Sequence, residues 1–406
     1  MSQREFDVVL YGASGFTGKQ TALYFAENVP LDQVRWALAG RSLDKLELVR
    51  KGLGEDFTEL PLLVADSQDH AALRELCART RVMLTTVGPY ASYGEPLVRA
   101  CVENATDYVD ITGETPWIRH LIDSYHSRAE RKGVRIVNCC GVDSIPSDLT
   151  TYLLARETRS QLGEGLSSAQ GLFNFRGGGL NGGTLASLLN LADSGQIEQV
   201  SRPYLLNPGE EQLRSKPADQ VGIRWDPEWW VWTTPFFMAP VNSRIVRRSE
   251  ALWRHQGQPY GPDFVYQEAM WMNELLPSAS LAVAGVSAVM DELVRVPAAM
   301  KLLKKFGPKP GEGPSEEVME KSSMSCWFRG KTPSGRRVKA HFFAHGDPGN
   351  RVTVKLLAES ALTLIHDRDQ LPENFAGGVL TPATALGDPL IERLRAAGVT
   401  LDFSLA

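Results

Sequence analysis

The apolar run Phe6–Tyr11 (FDVVLY) ends directly on Gly12-Ala13-Ser14-Gly15-Phe16-Thr17-Gly18, and a helical pattern, TALYFAEN, follows at once. In this strand-to-helix setting each glycine has a task. Gly12 permits a tight turn, Gly15 lets backbone amides approach a pyrophosphate, and Gly18 lets the helix lie close against the sheet. The helix N-terminus then offers free N–H donors and a positive dipole end, with Ser14 and Thr17 as hydroxyl donors. A glycine run alone says little; opening the first βαβ unit of a chain, it predicts a dinucleotide-binding domain.

The alternation continues. Strand patterns at Val34–Ala39, Leu60–Ala65, Val82–Val87, Tyr108–Ile111 and Arg135–Cys139 are separated by helical stretches, including Asp69–Arg79 and Pro96–Asn104. Strands spaced by helices of this length imply parallel βαβ units and a doubly wound α/β sheet. After about Asp148 the pattern changes to longer strand-like segments: SSAQGLFNFRG, PDFVYQEAMWM, SCWFRGK, RVKAHFFAHG and RVTVKLLAE. Several are joined by Gly/Pro turns, which predicts a mostly antiparallel sheet. The expected organisation is a Rossmann domain over 1–148, an α+β substrate and dimerisation domain over 149–376, and a return to the first domain over 377–406. A chain of 406 residues suits such a division. Gly307–Ser323, rich in Pro, Gly and charge, reads either as a lid or as a surface linker.

The end of the second strand bears on cofactor choice. An acidic residue there binds the ribose 2′-OH of NAD; here the strand ends Ala39-Gly40-Arg41-Ser42. Arg41 can fork onto a 2′-phosphate, with Ser42 as a donor and Lys45 adding charge, so NADP(H) is expected and NAD(H) is the lesser alternative. The alternative role for Arg41 is helix capping. Asp66, after the third strand, is placed either to bond the adenine edge or to cap a helix. Gly88-Pro89-Tyr90, after the fourth, is placed beside the nicotinamide ribose, with Tyr90 a ligand contact or a packing residue.

Several chemistries are disfavoured. None of the ten tyrosines has Lys four residues later, so the tyrosine–lysine pair of short-chain dehydrogenases is missing. The histidines form no HxH or HExxH grouping and no CxxC occurs among five cysteines, so no metal is expected. A net charge of −5 without a basic block gives no footprint for nucleic acid. The start carries no apolar leader, and Leu275–Met290 is shorter than the roughly 20 residues of a spanning helix. The expected location is cytoplasmic.

The motifs GASGFTG, AGRS, VGPYASYG, YVDITGE and CCGVDSIPSD, in this order and spacing, resemble the saccharopine dehydrogenase-like oxidoreductases, the trans-acting enoyl reductase branch above all. GGGLNGGTLAS (Gly177–Ser187) and GGVLTPATALGD extend the resemblance over most of the chain. It implies a Rossmann domain completed by C-terminal elements, a mixed second domain, and frequent dimerisation. It assigns Gly12, Ser14, Gly15, Phe16, Thr17, Arg41 and Gly88–Tyr90 to the cofactor. Asp110, Gly113 and Glu114, and then Gly141, Asp143, Ser144, Pro146 and Asp148, fall at the ligand edge of the sheet. There carboxylates orient substrate or relay a proton; alternatively Asp110 satisfies loop amides and Asp148 caps a helix. Tyr90, Asp143 and Ser144 are the candidate catalytic residues.

Saccharopine-type enzymes handle amino acids, whereas the trans-acting enoyl reductases saturate C=C bonds of lipid-like chains. Trp225, Trp229, Trp230 and Trp232 precede Thr233-Thr234-Pro235-Phe236-Phe237, an aromatic patch suited to a greasy pocket or an interface. After the apolar run, Leu293, Val296, Met300 and Leu303 recur at helical spacing opposite Arg295, Lys301, Lys304 and Lys305. Such a helix suits a membrane surface, an acyl carrier or polyketide synthase partner, or its own protein. The leading expectation is an NADP(H)-dependent enoyl reductase of acyl substrates. The alternatives are reduction of an amino-acid-derived imine and a non-catalytic NADP-binding or lipid-surface protein.

Overall fold

The computed structural model describes residues 4–177, 197–208, 219–272, 309 and 312–406. Two sheets organise them. The first is wholly parallel, from strands β1 (Phe6–Tyr11), β2 (Trp36–Gly40), β3 (Leu62–Val64), β4 (Thr80–Thr85), β5 (Asp107–Asp110), β6 (Arg135–Val137) and β13 (Gly378–Leu380). Their spatial order is β13-β6-β5-β4-β1-β2-β3, with the order reversing beside β1. Central β1 is buried along its whole length, as a strand covered by helices on both faces must be.

The crossover helices are α1 (Phe16–Asn28), α2 (Leu43–Gly52), α3 (His70–Ala78), the short α4 (Tyr90–Tyr93), α5 (Glu95–Asn104) and α6 (Thr115–Lys132). Local chemistry sets their ends. The Asp69 carboxylate accepts from Ala71 N and Ala72 N at the start of α3, and Gly133, at φ 64°, closes α6 in the left-handed conformation.

The second sheet runs β14-β12-β11-β7-β10-β9-β8. Its strands are β7 (Ser168–Arg176), β8 (Arg224–Asp226), β9 (Val231–Thr234), β10 (Val265–Trp271), β11 (Ser323–Lys331), β12 (Arg337–His345) and β14 (Thr400–Leu405). All pairings are antiparallel except β7 with β10. Period-two alternation is clean in β11, where Met324, Cys326 and Phe328 are buried and Ser325, Trp327 and Arg329 face the other way. The buried face packs on α7 (Ile145–Leu162), which leaves the first sheet's edge, and β10 is met by α8 (Ala239–His255). One core cluster therefore joins the two sheets, from Val8 and Leu84 through Leu149 and Leu153 to Phe173, Phe328 and Phe342.

The segment RVTVKLLAE, expected as a strand, is instead the start of helix α10 (Thr353–His366), after α9 (Glu316–Lys321). Three β-branched residues, Val352 to Val354, favour a strand locally. The longer run carries Leu357, Ala361 and Leu364 at helical spacing, and this face is buried against α1, β4 and β5. Tertiary burial overrides the local preference, and α10 belongs to the cover of the parallel sheet. The terminal segment divides. β13 extends the parallel sheet, α11 (Pro382–Ala385) and α12 (Gly387–Ala396) follow, and β14 pairs with β12 in the second sheet.

The aromatic patch is likewise divided. Trp225, Trp230 and Trp232 are exposed on the β8–β9 hairpin and pack edge to face, while Phe236 is buried. Leu275–Phe306 and nearly all of Gly177–Ser187 lie outside the described residues.

Candidate functional site

The carboxyl ends of the parallel strands converge at the edge where the order reverses, the usual ligand position of this architecture. Gly12 adopts φ 90°, and a Cβ there would come within 2.7 Å of Val87 Cγ2. Gly18 is pressed on the turn: its Cβ would lie 2.8 Å from the Gly12 carbonyl carbon and 2.9 Å from Ala13 Cα. Gly15 N–H donates to Gly12 O at 3.0 Å and stands at the N-cap of α1, where no side chain caps the helix. The first-turn amides are thus presented outward. This cradle fits a dinucleotide pyrophosphate, with Ser14 and Thr17 beside it.

Arg41 is exposed after β2 and makes no ion pair among the described residues; Ser42 stands at the N-cap of α2 with its hydroxyl unused for capping. Neither side chain has a hydrogen bond or ion pair with a described residue. Asp66 Oδ1 accepts from Gln68 N at 2.9 Å, while the α3 cap is Asp69. Arg41 and Asp66 both lie near enough to Tyr11 for their charges to act on its hydroxyl.

The Gly88–Pro89 bond is cis. The turn after it is held by Glu114, whose carboxylate accepts from Tyr90 N at 2.9 Å and Ala91 N at 2.8 Å. The backbone of Tyr90 lies at this edge, but its side chain turns inward. The hydroxyl donates to Thr85 O at 3.3 Å, the ring meets Trp117, and burial with nearby Asp110 pushes its pKa well above the usual tyrosine value.

Asp110 is fully buried and accepts from Tyr108 Oη (2.8 Å), Asn138 Nδ2 (2.8 Å), Thr112 N (3.0 Å) and Cys139 N (3.2 Å). Burial outweighs these donors and pushes its pKa up to about 6. It orders the loops after β5 and β6. Asp148 accepts from Ser249 Oγ (2.5 Å) and Ala383 N (2.8 Å), tying α7 to α8 and α11 instead of capping its own helix. Its pKa rises to about 7, again through burial.

Asp143 differs from both. Its carboxyl has no hydrogen bond or ion pair with any described residue. It sits deep in the fold with a residual opening to solvent, and burial alone pushes its pKa up to about 6. A Cβ at Gly113 would lie 3.6 Å from Asp143 Oδ2 and 3.7 Å from Val241 Cγ2, so the carboxyl faces the start of α8 across a glycine. The wall there is apolar: Met238 and Val241, then exposed Phe237, then Phe236 stacked on Phe173 at 4.3 Å. Its neighbour Ser144 is fully buried and donates to Asn242 Oδ1 at 3.3 Å. Asn242 Nδ2 donates in turn to Glu268 (3.1 Å), which also accepts from Tyr266 Oη (2.6 Å). Glu268 is raised to about 7 by burial.

The three candidate catalytic residues therefore part company: Asp143 has no partner among the described residues, while Ser144 and Tyr90 spend their hydroxyls within the protein. The Glu114 clamp and the Asn242–Glu268 chain were not foreseen as such. Glu114 is visible as an acid after β5, but its partners lie 23 and 24 residues earlier, and nothing local marks Glu268.

This fold and edge define a dinucleotide-dependent oxidoreductase of the saccharopine dehydrogenase-like class, an enzyme of hydride transfer. Residues 8–137 match the family described as Saccharopine dehydrogenase NADP binding domain. The chain is 42% identical over 417 residues, 98% of this chain and 97% of the other, to a Mycobacterium tuberculosis protein grouped by its name with the trans-acting enoyl reductases. It is 40% identical over 419 residues, 98% of each chain, to the trans-acting enoyl reductase of Mycobacterium ulcerans. The chain belongs to the trans-acting enoyl reductase family. Among solved structures, it shares its fold with apo saccharopine dehydrogenase (L-Glu forming) from Saccharomyces cerevisiae, at TM-score 0.55 and 14% identity, covering 99% of this chain and 100% of that one. Homospermidine synthase from Legionella pneumophila in complex with NAD gives TM-score 0.52 at 10% identity, over 100% and 93%.

Proposed function

We propose that the chain is an NADPH-dependent enoyl reductase acting on an apolar acyl substrate, delivered on a separate carrier as the relatives' names suggest. The observation that supports this reading is Asp143: a carboxyl at the strand edge with no hydrogen bond or ion pair among the described residues, bordered by Met238 and Val241, with burial the sole influence on its pKa. An amino-acid-derived imine would call for a cation to grip its carboxylate, whereas the residues bordering Asp143, Met238 and Val241, are apolar.

Bound NADPH supplies the hydride that saturates the C=C bond. The glycine cradle and the α1 amides hold its pyrophosphate, and Arg41, Ser42 and Lys45 take the 2′-phosphate. Asp143 is the proton source for the substrate carbon next to the carbonyl, its raised pKa keeping a protonated fraction near neutral pH. Tyr90 and Ser144 position the turn and the α7 N-terminus around it. The apolar wall keeps water from the reacting bond.

The test is NADPH consumption with enoyl thioesters of increasing chain length, in wild type and Asp143→Asn. The expected result is turnover in wild type, declining as pH rises above about 6. Loss of the acid should lower kcat by about 100-fold or more with NADPH affinity unchanged. No turnover on any enoyl thioester, or full activity in Asp143→Asn, overturns the reading.

A further inference from the structure

We propose that the outer face of the second sheet carries a separate anion site, remote from the dinucleotide edge, that takes a small phosphorylated molecule. The register of β11 and β12 sets Arg329 directly opposite Lys339 and Lys331 directly opposite Arg337. Side chains two apart on a strand share a face, so the four cations form a square on the side away from buried Phe328, Val338 and Ala340. Cross-strand neighbours of like charge repel at about 5 Å and destabilise a sheet. Two such pairs in succession are a cost to the fold, and an anion seated over the square would lift it.

Asp226, Glu228 and the carboxylate of Ala406, which lines the same cavity, balance the four cations only in part. Asp226 is spent on Arg329 in a two-point pair (2.8 and 2.7 Å), and Glu228 stands 3.6 Å from Arg329 and 3.7 Å from Arg337. Lys331 and Lys339 have no ion pair among the described residues. The square borders a cavity of about 510 Å³, floored by Gln170 and Ser168 of β7 and walled by Glu228 and Trp229 of the β8–β9 turn. That volume is the size of a small-molecule pocket, which favours a compact ligand over a flat protein surface. Arg329 is fixed by Asp226 and lies over the Trp229 ring at 5.6 Å; the two lysines supply the charge that an incoming anion meets.

The site is distinct from the dinucleotide edge. β7 begins at this pocket and reaches Arg176 roughly 26 Å away at about 3.3 Å per residue. There β11 begins opposite Arg176, just beyond α9, whose Glu316 accepts from Gln20 of α1. A phosphate here would thus act on the enzyme from outside its reaction centre.

The experiment titrates inorganic pyrophosphate, ATP and coenzyme A into protein already saturated with NADPH, so that the dinucleotide site is filled. Wild type and Lys331→Glu/Lys339→Glu are compared by calorimetry. The expected result is saturable binding of at least one probe, weakened by salt and by at least tenfold in the double variant, with NADPH affinity intact. Binding of pyrophosphate alone would identify the phosphate as sufficient; binding of ATP or coenzyme A alone would add the nucleotide part. In the ligand-free protein, Lys339→Gln should raise Tm or leave it unchanged, because it relieves repulsion. The proposal is overturned if no probe binds, if the double variant binds undiminished, or if Lys339→Gln lowers Tm. It is equally overturned if the double variant splits an oligomer, since the face is then a subunit interface.

Discussion

Replacing Gly18 with alanine should loosen the phosphate cradle even before any ligand arrives. The new Cβ would lie 2.8 Å from the Gly12 carbonyl carbon and 2.9 Å from Ala13 Cα, and closer still to Gly12 O. Carbon atoms rest at about 3.5–4.0 Å, so α1 must back away from the turn by about 1 Å. All three clashing atoms are backbone, and no side chain can swing aside. Overpacking of this kind costs about 1–3 kcal/mol, a fall of several degrees in Tm. The shift also carries the first-turn amides out of hydrogen-bond range, each such bond to a phosphate being worth about 1.5–3 kcal/mol. Dinucleotide affinity should therefore fall by about tenfold to a hundredfold, read by fluorescence titration beside a thermal melt. Gly15→Ala is the control. Gly15 has φ −73°, and its Cβ would meet nothing nearer than Gly12 O at 3.4 Å. Its melt should match wild type while its affinity drops, because only the incoming phosphate contests that space. A Gly18→Ala protein as stable and as tight-binding as wild type would refute the close-packing argument.

Three further outcomes are expected. Arg41→Ala should weaken NADPH by about 1.5–3 kcal/mol and barely change NADH; equal losses would remove Arg41 from 2′-phosphate recognition. Glu114→Gln keeps one acceptor oxygen for the two amides of Tyr90 and Ala91, so a buried donor is left unpaired at about 1–3 kcal/mol. A melt unchanged from wild type would contradict the clamp. Asp148 and Glu268 have folded pKa values near 7 against ordinary values of 3.8 and 4.5. The folded state therefore binds more protons than the unfolded one between about pH 4 and 7, and the stability these groups contribute is present at low pH and lost as pH rises through 7. Urea midpoints of wild type and Glu268→Gln should show it: the variant loses part of the decline between about pH 4 and 7, and an unchanged decline would show that Glu268 does not titrate there.

Much of the first domain could be read directly from the residues, because its determinants are local. A glycine turn between a buried strand and a helix is a matter of backbone conformation and a few neighbours, and βαβ spacing follows from element length. The glycine turn between β1 and α1 and the succession of parallel strands along the chain come from that information. Alternation gave β7, β11 and β12 for the same reason, whereas RVTVKLLAE misled because three β-branched residues outweigh a helical face whose partner, the parallel sheet, is more than 260 residues away at β4. What only the tertiary structure decided are the relations between distant segments. Asp110, Asp143 and Asp148 are the same residue type within 40 positions and look alike in sequence; folding surrounds the first with four donors, ties the third to α8 and α11, and leaves the second beside an apolar wall with no partner among the described residues. The pKa and role of a carboxyl depend on what packs around it, and that is set by long-range contacts that no local pattern encodes.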